Sequence, residues 1–400
     1  MTASGMLDTA ALHSVPAAEA IPFAVPDIAE ADIAAVTRVL RSGWLTTGEE
    51  ALALEAELAR RLGVPHVMAV SSCTAAIELA LRALDLPAGA RVGVPTWTFV
   101  ATALPAVHLG FTPVLLDVDA DTLNLAPTAL DAALRSGLDA VIPVHFGGVP
   151  VDRSVHELAA AAGVPVIEDA AHALGACDER GPVAGVGSVG ACYSFYATKN
   201  LTAGEGGALA PDRDDVAEKV RSLRLHGLTR DAWARYRPDG PADYDLVDPG
   251  IKANLPDLLA ALARSQLARF ESLQARRREL VVGYRARLLE IPGIETVPAE
   301  LRPGSADHLM VVLLPSGTDR HALRTTLSQS GIATSVHFQP LHRFEWFRDH
   351  AGVVPSGVAV AERLADRALS LPLHPGMTGA QVDRVVDGLS EALRGRGARP

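Results

Sequence analysis

The stretch that decides the fold is Ala191-Cys-Tyr-Ser-Phe-Tyr-Ala-Thr-Lys-Asn-Leu-Thr-Ala-Gly-Glu-Gly-Gly207. Its first half is apolar and aromatic, as in a buried strand, and it gives way at Lys199 to small, flexible residues. A lysine amine attacks carbonyl groups readily when burial lowers its pKa, and the end of a buried strand provides such burial. On this stretch alone an ordinary surface lysine at a strand end is the commoner explanation, and the segments upstream decide in favour of a Schiff-base lysine at position 199.

A second segment, Val164-Pro-Val-Ile-Glu-Asp-Ala-Ala-His172, predicts a short buried strand that delivers Asp169 at its carboxyl end. Open α/β sheets bind their ligands at this edge. A buried carboxylate there can keep the ring nitrogen of pyridoxal phosphate protonated, so that the ring accepts electrons. We expect His172 to orient Asp169 or to pack on that ring. Taken alone, Asp169 could equally be the N-cap of a helix.

A third segment, residues 67–84, predicts a strand, a turn rich in hydroxyl groups and a helix. Free N–H groups at the start of a helix bind anions, so Ser72, Thr74 and Ala75 suit a phosphate group. Ordinary helix capping by serine and threonine would explain the same turn. Together, the anion-binding turn, the acid and the lysine predict a site for pyridoxal 5'-phosphate.

The order of these three segments resembles the DegT/StrS (DegT/DnrJ/EryC/StrS) family of sugar aminotransferases, which are fold-type I pyridoxal phosphate enzymes. The resemblance extends from about residue 21 nearly to the end of the chain through five more motifs. These are Ser42-Gly-Trp-Leu-Thr-Thr-Gly48, Pro143-Val-His-Phe-Gly-Gly148, Leu223-Arg-Leu-His-Gly227, Thr334-Ser-Val-His-Phe338 and Ser370-Leu-Pro-Leu-His-Pro-Gly-Met-Thr378. The chain is most similar to the branch that aminates C4 of nucleotide-linked 4-keto sugars, because Glu-Asp-Ala-Ala-His is followed by Gly-Glu-Gly-Gly.

The resemblance implies Lys199, Asp169 and His172 as catalytic residues, with Lys199 carrying the cofactor as an internal aldimine. Asn254 would reach the cofactor phosphate of the partner subunit, which implies a homodimer with shared active sites. The full cofactor-binding set that it implies is Ser72, Thr74, Ala75, Phe99, Asp169, His172, Ser194, Lys199 and Asn254.

The implied substrates are a keto sugar linked to dTDP or UDP and an amino-acid donor, L-glutamate or glutamine. The residues expected near the sugar nucleotide are Trp44, Thr46, Lys252 and His337. Relatives often carry tyrosine where this chain has Ile251 and Ala253. Either the pocket fits a different or less hydroxylated sugar, or other residues bind the sugar hydroxyl groups. Amination at C3 or of a cyclitol ketone, and a non-catalytic regulator that senses pyridoxal phosphate or a sugar, are the alternatives.

Composition sets further bounds. A chain of 400 residues that is 48% hydrophobic and 21% charged can bury two cores. A net charge of −11 argues against a nucleic-acid surface. The three cysteines lack metal-ligand spacing, so neither a metal site nor a disulfide framework is expected. Because neither a signal peptide nor a membrane-spanning run is present, we expect a cytoplasmic protein without membrane contact.

Strand patterns alternate with helix patterns, which predicts the α/β class and a mostly parallel central sheet. Its expected strands include residues 91–95, 113–117, 140–144 and 164–167. Residues 257–290 predict one helix of about 50 Å at ~1.5 Å per residue, or two helices broken near Ser272. Strands at 309–314 and 331–337, with helices at 320–330 and 379–394, predict a small C-terminal α/β domain. The expected division is a mobile tail (1–20), a large cofactor-binding domain (21–265) and a small domain (266–400).

Overall fold

The computed structural model describes residues 20–229, 244–353 and 357–394. The α-helices of these residues are α1 (Glu30–Ser42), α2 (Glu49–Leu62), α3 (Cys73–Ala83), α4 (Leu104–His108), α5 (Pro127–Arg135), α6 (Arg153–Ala161), α7 (Asp214–Leu223), α8 (Asp257–Ala268), α9 (Phe270–Leu288), α10 (Arg320–Gln329), α11 (Glu345–His350), α12 (Ala359–Leu364) and α13 (Gly379–Arg394). The strands are β1 (Met68–Val70), β2 (Arg91–Pro95), β3 (Thr112–Leu116), β4 (Ala140–Val141), β5 (Ile167–Asp169), β6 (Cys177–Asp178), β7 (Gly181–Pro182), β8 (Gly190–Ser194), β9 (Gly207–Pro211), β10 (Glu295–Val297), β11 (Met310–Leu313), β12 (Gly352–Val353) and β13 (Ala368–Leu371).

Two four-stranded ladders form the large sheet, with the orders β12-β3-β2-β4 and β5-β8-β9-β1. Parallel bridges from Val141 to Val166 and from Val144 to Asp169 join the two ladders into one sheet. Strand β9 pairs antiparallel with β1 and β8, whereas the other pairs of this described sheet are parallel. The predicted α/β class with a mostly parallel central sheet is therefore confirmed.

Strands β2 and β3 are largely apolar because helices cover both faces of the sheet. Val92 and Val94 of β2 pack in one core cluster with Ile77 of helix α3. Val114 of β3 belongs to a second cluster, on the opposite face, with Leu130 of helix α5. Burial of each such side chain stabilises the fold by about 1.5–3 kcal/mol. This double cover fixes the sheet, whose strand ends then carry the site.

A second, antiparallel sheet has the order β10-β11-β13. Helices α9 and α10 contribute Tyr284 and Leu323 to its core. Ile21, at the other end of the chain, lies in the same core, and its backbone pairs with residues Gly331 and Ala333. The small sheet is therefore completed by the first described residues. The predicted limits of the two domains, at residues 21, 265 and 266, stay a prediction.

The long helix predicted for residues 257–290 is wrong, and the alternative of two helices is confirmed. Helix α8 ends before Arg269, which has φ −104° and ψ 3°, and α9 begins directly after it. The guanidinium group of Arg269 donates to the carboxylates of Asp27 and Asp32 at 2.6 and 2.9 Å. The break therefore lies at an ion-paired residue, three positions before Ser272.

The strand predicted for residues 331–337 is also wrong. Ile332 and Ser335 form only isolated bridges, with Ile21 and Ser370 respectively. The segment forms no ladder beyond Ser335, and the His337 ring bonds the Ser370 hydroxyl group. Residue 337 thus becomes a lining residue of the cavity described below.

The predicted mobile tail covers residues 1–20, of which residues 1–19 lie outside the described part of the chain. Among the described helices, none is both long and apolar enough to cross a bilayer. The part of the chain that the structure describes contains no group of three or more histidine, cysteine, aspartate or glutamate side chains placed to hold a metal ion.

Candidate active site

A cavity of about 470 Å³ opens at the carboxyl ends of β5 and β8. The predicted site residues that line it are Ser72, Thr74, Phe99, Asp169, His172, Ser194, Lys199 and His337. A larger groove of about 950 Å³ between α1, α2 and α8 contains none of the predicted residues, and its lining includes four arginine and three glutamate residues. The smaller cavity is the candidate site because the predicted lysine, carboxylate and hydroxyl groups line it at the carboxyl ends of the strands.

Lys199 lies in a turn after β8, where its N–H donates to the carbonyl of Tyr196 at 2.9 Å. Burial lowers the pKa of Lys199 to about 8, against the opposite effect of Asp169 and Cys73. An amine with this pKa is neutral in about one molecule in ten at pH 7. Lys199 lines the cavity, so the amine is available there as a nucleophile.

Asp169 ends β5 with its carboxylate buried and fixed. Its Oδ2 accepts a hydrogen bond from Thr102 Oγ1 at 2.7 Å, and its Oδ1 accepts one from the Ala171 N–H at 3.1 Å. In the described structure no helix begins directly after Asp169, since the next helix, α7, begins at Asp214. The alternative that Asp169 is a helix N-cap is therefore wrong. The carboxylate instead faces the cavity, where a ring nitrogen could share its proton.

Helix α3 points its N-terminus at the cavity. Ser72 caps the helix, with its Oγ accepting from the Ala75 N–H at 3.1 Å, while Thr74 and Ser194 place hydroxyl groups on the wall. Gly207 passes so close that a Cβ atom there would lie 2.6 Å from the carbonyl carbon of Ser72. The turn uses ordinary serine capping, and its role as an anion-binding cradle stays a prediction.

His172 is buried, and its Nδ1 accepts a hydrogen bond from the Gly147 N–H at 3.2 Å. Since Nδ1 accepts, the neutral ring carries its hydrogen on Nε2. Burial, with Lys199 and His337 adding to it, holds the pKa of His172 well below its usual value. The ring lies 4.4 Å from that of His308 and makes no hydrogen bond to Asp169. The packing role is thus favoured over the role of orienting the acid.

His337 stacks on Phe23 with ring centroids 5.3 Å apart, and its Nδ1 bonds the Ser370 hydroxyl group at 2.9 Å. Burial, assisted by Lys199, lowers the pKa of His337 to about 4, so the ring is neutral at pH 7. Phe99 is 56% exposed and lies 5.6 Å from Phe338 between ring centroids. These aromatic rings give one side of the cavity an apolar wall.

Five predicted residues do not line the cavity of their own chain. The Ala75 N–H is held by Ser72, as described above. The other four gather near Thr47: Asn254 donates to the Thr47 hydroxyl group, Lys252 contacts Asn254, and the Trp44 indole donates to the Thr47 carbonyl. The exposed Thr46 lies beside them.

Sequence reasoning missed several lining residues, including Thr98, Thr102, His308, Phe23 and Phe338. The two threonines stand four positions apart in a hydroxyl-containing stretch that begins at the end of β2, and this spacing was an available signal. His308 bonds the Asn200 side chain at 2.9 Å and comes from a segment with no local sign of chemistry.

These features define a class of protein. A nucleophilic lysine suits the aldehyde of pyridoxal phosphate, the buried carboxylate of Asp169 suits the ring nitrogen, and the hydroxyl-lined N-terminus of α3 suits the phosphate group. The cavity thus holds the three groups that a pyridoxal phosphate enzyme of the aminotransferase type requires.

A model of the DegT/DnrJ/EryC1/StrS aminotransferase family matches residues 26–390, and the chain belongs to this family. The spore coat polysaccharide biosynthesis protein SpsC of Bacillus subtilis (strain 168) is 38% identical over 380 residues, which are 94% of this chain and 97% of SpsC. Spr1654 of Streptococcus pneumoniae in its PMP form is 30% identical, with a TM-score of 0.86 over 94% of this chain and 99% of that one. Its PLP form has a TM-score of 0.85 at 29% identity, over the same shares of the two chains. The sugar aminotransferase CalS13 of Micromonospora echinospora is 29% identical, with a TM-score of 0.82 over 93% and 99%.

The protein is therefore a fold-type I sugar aminotransferase that uses pyridoxal phosphate. The resemblance drawn from the sequence, the enzyme class and the cofactor are confirmed. The roles assigned to individual residues stay predictions, which the geometry above makes specific.

Proposed function

We propose that the protein transfers an amino group from L-glutamate or L-glutamine to C4 of a keto sugar linked to dTDP or UDP. The observation that carries the proposal is the meeting of Lys199, Asp169 and the N-terminus of α3 in one cavity. The choice of C4 rests on the motifs around His172 and Glu205. The product would be an amino sugar for a surface glycan or a secondary metabolite, in line with the polysaccharide role in the name of SpsC.

Pyridoxal phosphate supplies the carbonyl group that receives the amine and a ring that accepts electrons. Lys199 Nζ would hold the cofactor and, once released from it, would be placed to move a proton from the donor's Cα. Asp169 would hold a proton on the ring nitrogen. Burial lowers the pKa of His172 and of His337, so both imidazoles are weak bases that would leave the proton from the donor's Cα to Lys199.

The first test is the half-reaction with the amino donor. The wild-type holoenzyme should convert its cofactor to the pyridoxamine form when glutamate is added, and Lys199→Ala should not. Turnover by Lys199→Ala comparable to wild type would refute the role of Lys199. A wild-type protein that binds the cofactor but never converts it would favour the regulator alternative.

The second test identifies the acceptor. Keto sugars with the ketone at C4 or C3, each linked to dTDP or UDP, and a cyclitol ketone are supplied in separate reactions, and the aminated product is identified by NMR. We expect amination of a 4-keto sugar. Exclusive amination of a 3-keto sugar or of the cyclitol would overturn the C4 proposal while leaving the aminotransferase class intact.

We also propose a cytoplasmic homodimer in which each site borrows Asn254 from the partner chain. The proposal is supported by the position of Asn254 and Lys252, which lie outside the cavity of their own chain, and by the exposed Phe99 ring at its mouth. Mixing Lys199→Ala with Asn254→Ala subunits tests it: if both are inactive alone, random reassociation restores about one quarter of the wild-type sites. No recovery in mixed dimers would contradict the sharing.

A further inference from the structure

Two buried threonines connect Asp169 to the backbone segment that follows β2. Thr98 Oγ1 lies 2.6 Å from Thr102 Oγ1, and Thr102 Oγ1 lies 2.7 Å from Asp169 Oδ2. Thr98 is 2% exposed and Thr102 is 1% exposed. Both side chains line the cavity that holds Lys199. The two hydroxyl groups are thus part of the site rather than of the distant core.

The direction of the hydrogen bonds from Thr98 through Thr102 to Asp169 follows from the number of hydrogens available. A carboxylate only accepts hydrogen bonds, so Thr102 must donate its single hydroxyl hydrogen to Asp169. The hydroxyl group of Thr98 must then donate to the oxygen of Thr102. Each link polarises the next, which strengthens the bond that reaches the carboxylate. Asp169 is therefore the final acceptor in this series of hydrogen bonds.

The remaining contacts of Asp169 do not replace this bond. The Ala171 N–H donates to the other oxygen, Oδ1. Cys73 Sγ lies 3.7 Å from Oδ1 but only 3.2 Å from the carbonyl oxygen of Cys192, and its one hydrogen goes to the nearer acceptor. Burial, with Asp169 adding to it, raises the pKa of the Cys73 thiol, so the sulfur stays uncharged. Thr102 is the hydroxyl donor that stabilises charge on Oδ2.

We propose that Thr102, supported by Thr98, is a positioning residue that keeps the proton shared between Asp169 and the cofactor on the ring nitrogen. The inference rests on the proposed function, because it requires Asp169 to face that nitrogen. A hydrogen bond to a carboxylate lowers the affinity of the carboxylate for a proton. The proton therefore stays on the ring, which remains positively charged and accepts electrons.

The test uses the holoenzyme and four variants that change only a buried threonine. Thr102→Val removes the donor, Thr102→Ser keeps a hydroxyl group, and Thr98→Val removes the second link. Thr96→Val is the matched control, because Thr96 is buried in the same segment but bonds His342 instead of Asp169. The absorbance of the bound cofactor is titrated with pH, and kcat and KM for the amino donor are measured.

A positive ring disfavours a second positive charge on the nitrogen that joins the cofactor to Lys199. When Thr102→Val lets Asp169 take up the ring proton, the nitrogen that joins the cofactor to Lys199 binds its own proton more strongly. The pH midpoint of the absorbance titration then rises by about one pH unit. We expect kcat to fall roughly 10- to 100-fold with little change in KM. Thr98→Val should shift both values in the same direction by less, while Thr102→Ser and Thr96→Val should titrate as wild type.

A midpoint in Thr102→Val that equals that of wild type would overturn the inference, and so would an equal shift in Thr96→Val. If Thr102→Val does not fold, Thr98→Val decides the matter, since it leaves the Thr102 contact in place. These outcomes differ from failure of the proposed function, which would appear as a wild-type cofactor spectrum that does not depend on Lys199. That result would remove the basis of this inference as well.

Discussion

The lowered pKa of Lys199 predicts how fast the apoenzyme captures its cofactor at different pH values. Capture requires the neutral amine, whose fraction depends on the pKa of about 8 that burial produces. Between pH 8 and pH 10 this fraction rises only about twofold, whereas a lysine with its ordinary pKa would gain about 75-fold. Between pH 6 and pH 8 the expected increase is about 50-fold. The upper interval therefore separates the two cases.

The assay mixes apoenzyme with pyridoxal phosphate in a stopped-flow instrument and follows the visible absorbance of the bound cofactor. Asp169→Asn is the informative variant, because the Asp169 charge raises the pKa of Lys199. We expect its capture profile to level off at lower pH than wild type, even though its turnover is lost. Asp383→Asn, at an exposed ion pair with Arg287, is the control and should match wild type. Comparison between variants cancels the ionisation of free pyridoxal phosphate.

A wild-type rate that continues to rise about tenfold per pH unit up to pH 9.5 would refute the reasoning, because the amine would then titrate as an ordinary lysine. A profile of Asp169→Asn that moves to higher pH would refute the assigned sign of the interaction between the two residues.

Other perturbations test the surroundings of the cavity. Burial alone would raise the pKa of Glu168, but its hydrogen bonds from His145 and His156 lower this pKa to about 2. The stability that the Glu168 carboxylate confers is therefore present above pH 4.5 and is lost as the pH falls towards 2. Glu168→Gln should lower the free energy of unfolding at pH 7 by about 2–4 kcal/mol. The free energy of unfolding of this variant, measured with urea, should also depend less on pH in the acid range than that of wild type, and an unchanged dependence would contradict this. Gly207→Ala should cost roughly 1–3 kcal/mol and weaken cofactor binding in an equilibrium titration, since its Cβ would meet the backbone at Ser72. Ser72→Ala should lower stability by about 1 kcal/mol through loss of the helix cap, and a variant as stable as wild type in thermal unfolding would argue against that cap.

The sequence was sufficient for those parts of the fold that depend on local pattern. The predicted strand at residues 91–95 coincides with β2, because a short apolar run bounded by turn formers has few other stable conformations. Asp169 and Lys199 could be paired from sequence because parallel strands end at one edge of a sheet. The chemistry of the site was therefore predictable from two strand ends and one helix start.

The rest depends on contacts between distant parts of the chain, which no local pattern records. The break at Arg269 is tied to Asp27 and Asp32, and nothing in its own neighbourhood marks it. Phe23 and His308 enter the cavity from segments that carry no recognisable motif. Their roles follow from packing, and only the folded chain reveals them.

The pairing of Ile21 with residues 331–333 has a consequence for biosynthesis. The ribosome makes Ile21 long before its partner residues at 331–333, which emerge only after strands β1 to β11 have been made. The apolar segment at residues 21–23 therefore remains without these partners while strands β1 to β11 are made. Capture of the early segment by the late one is then a late event in folding, and a nascent chain that stalls before residue 331 leaves this segment without its partner.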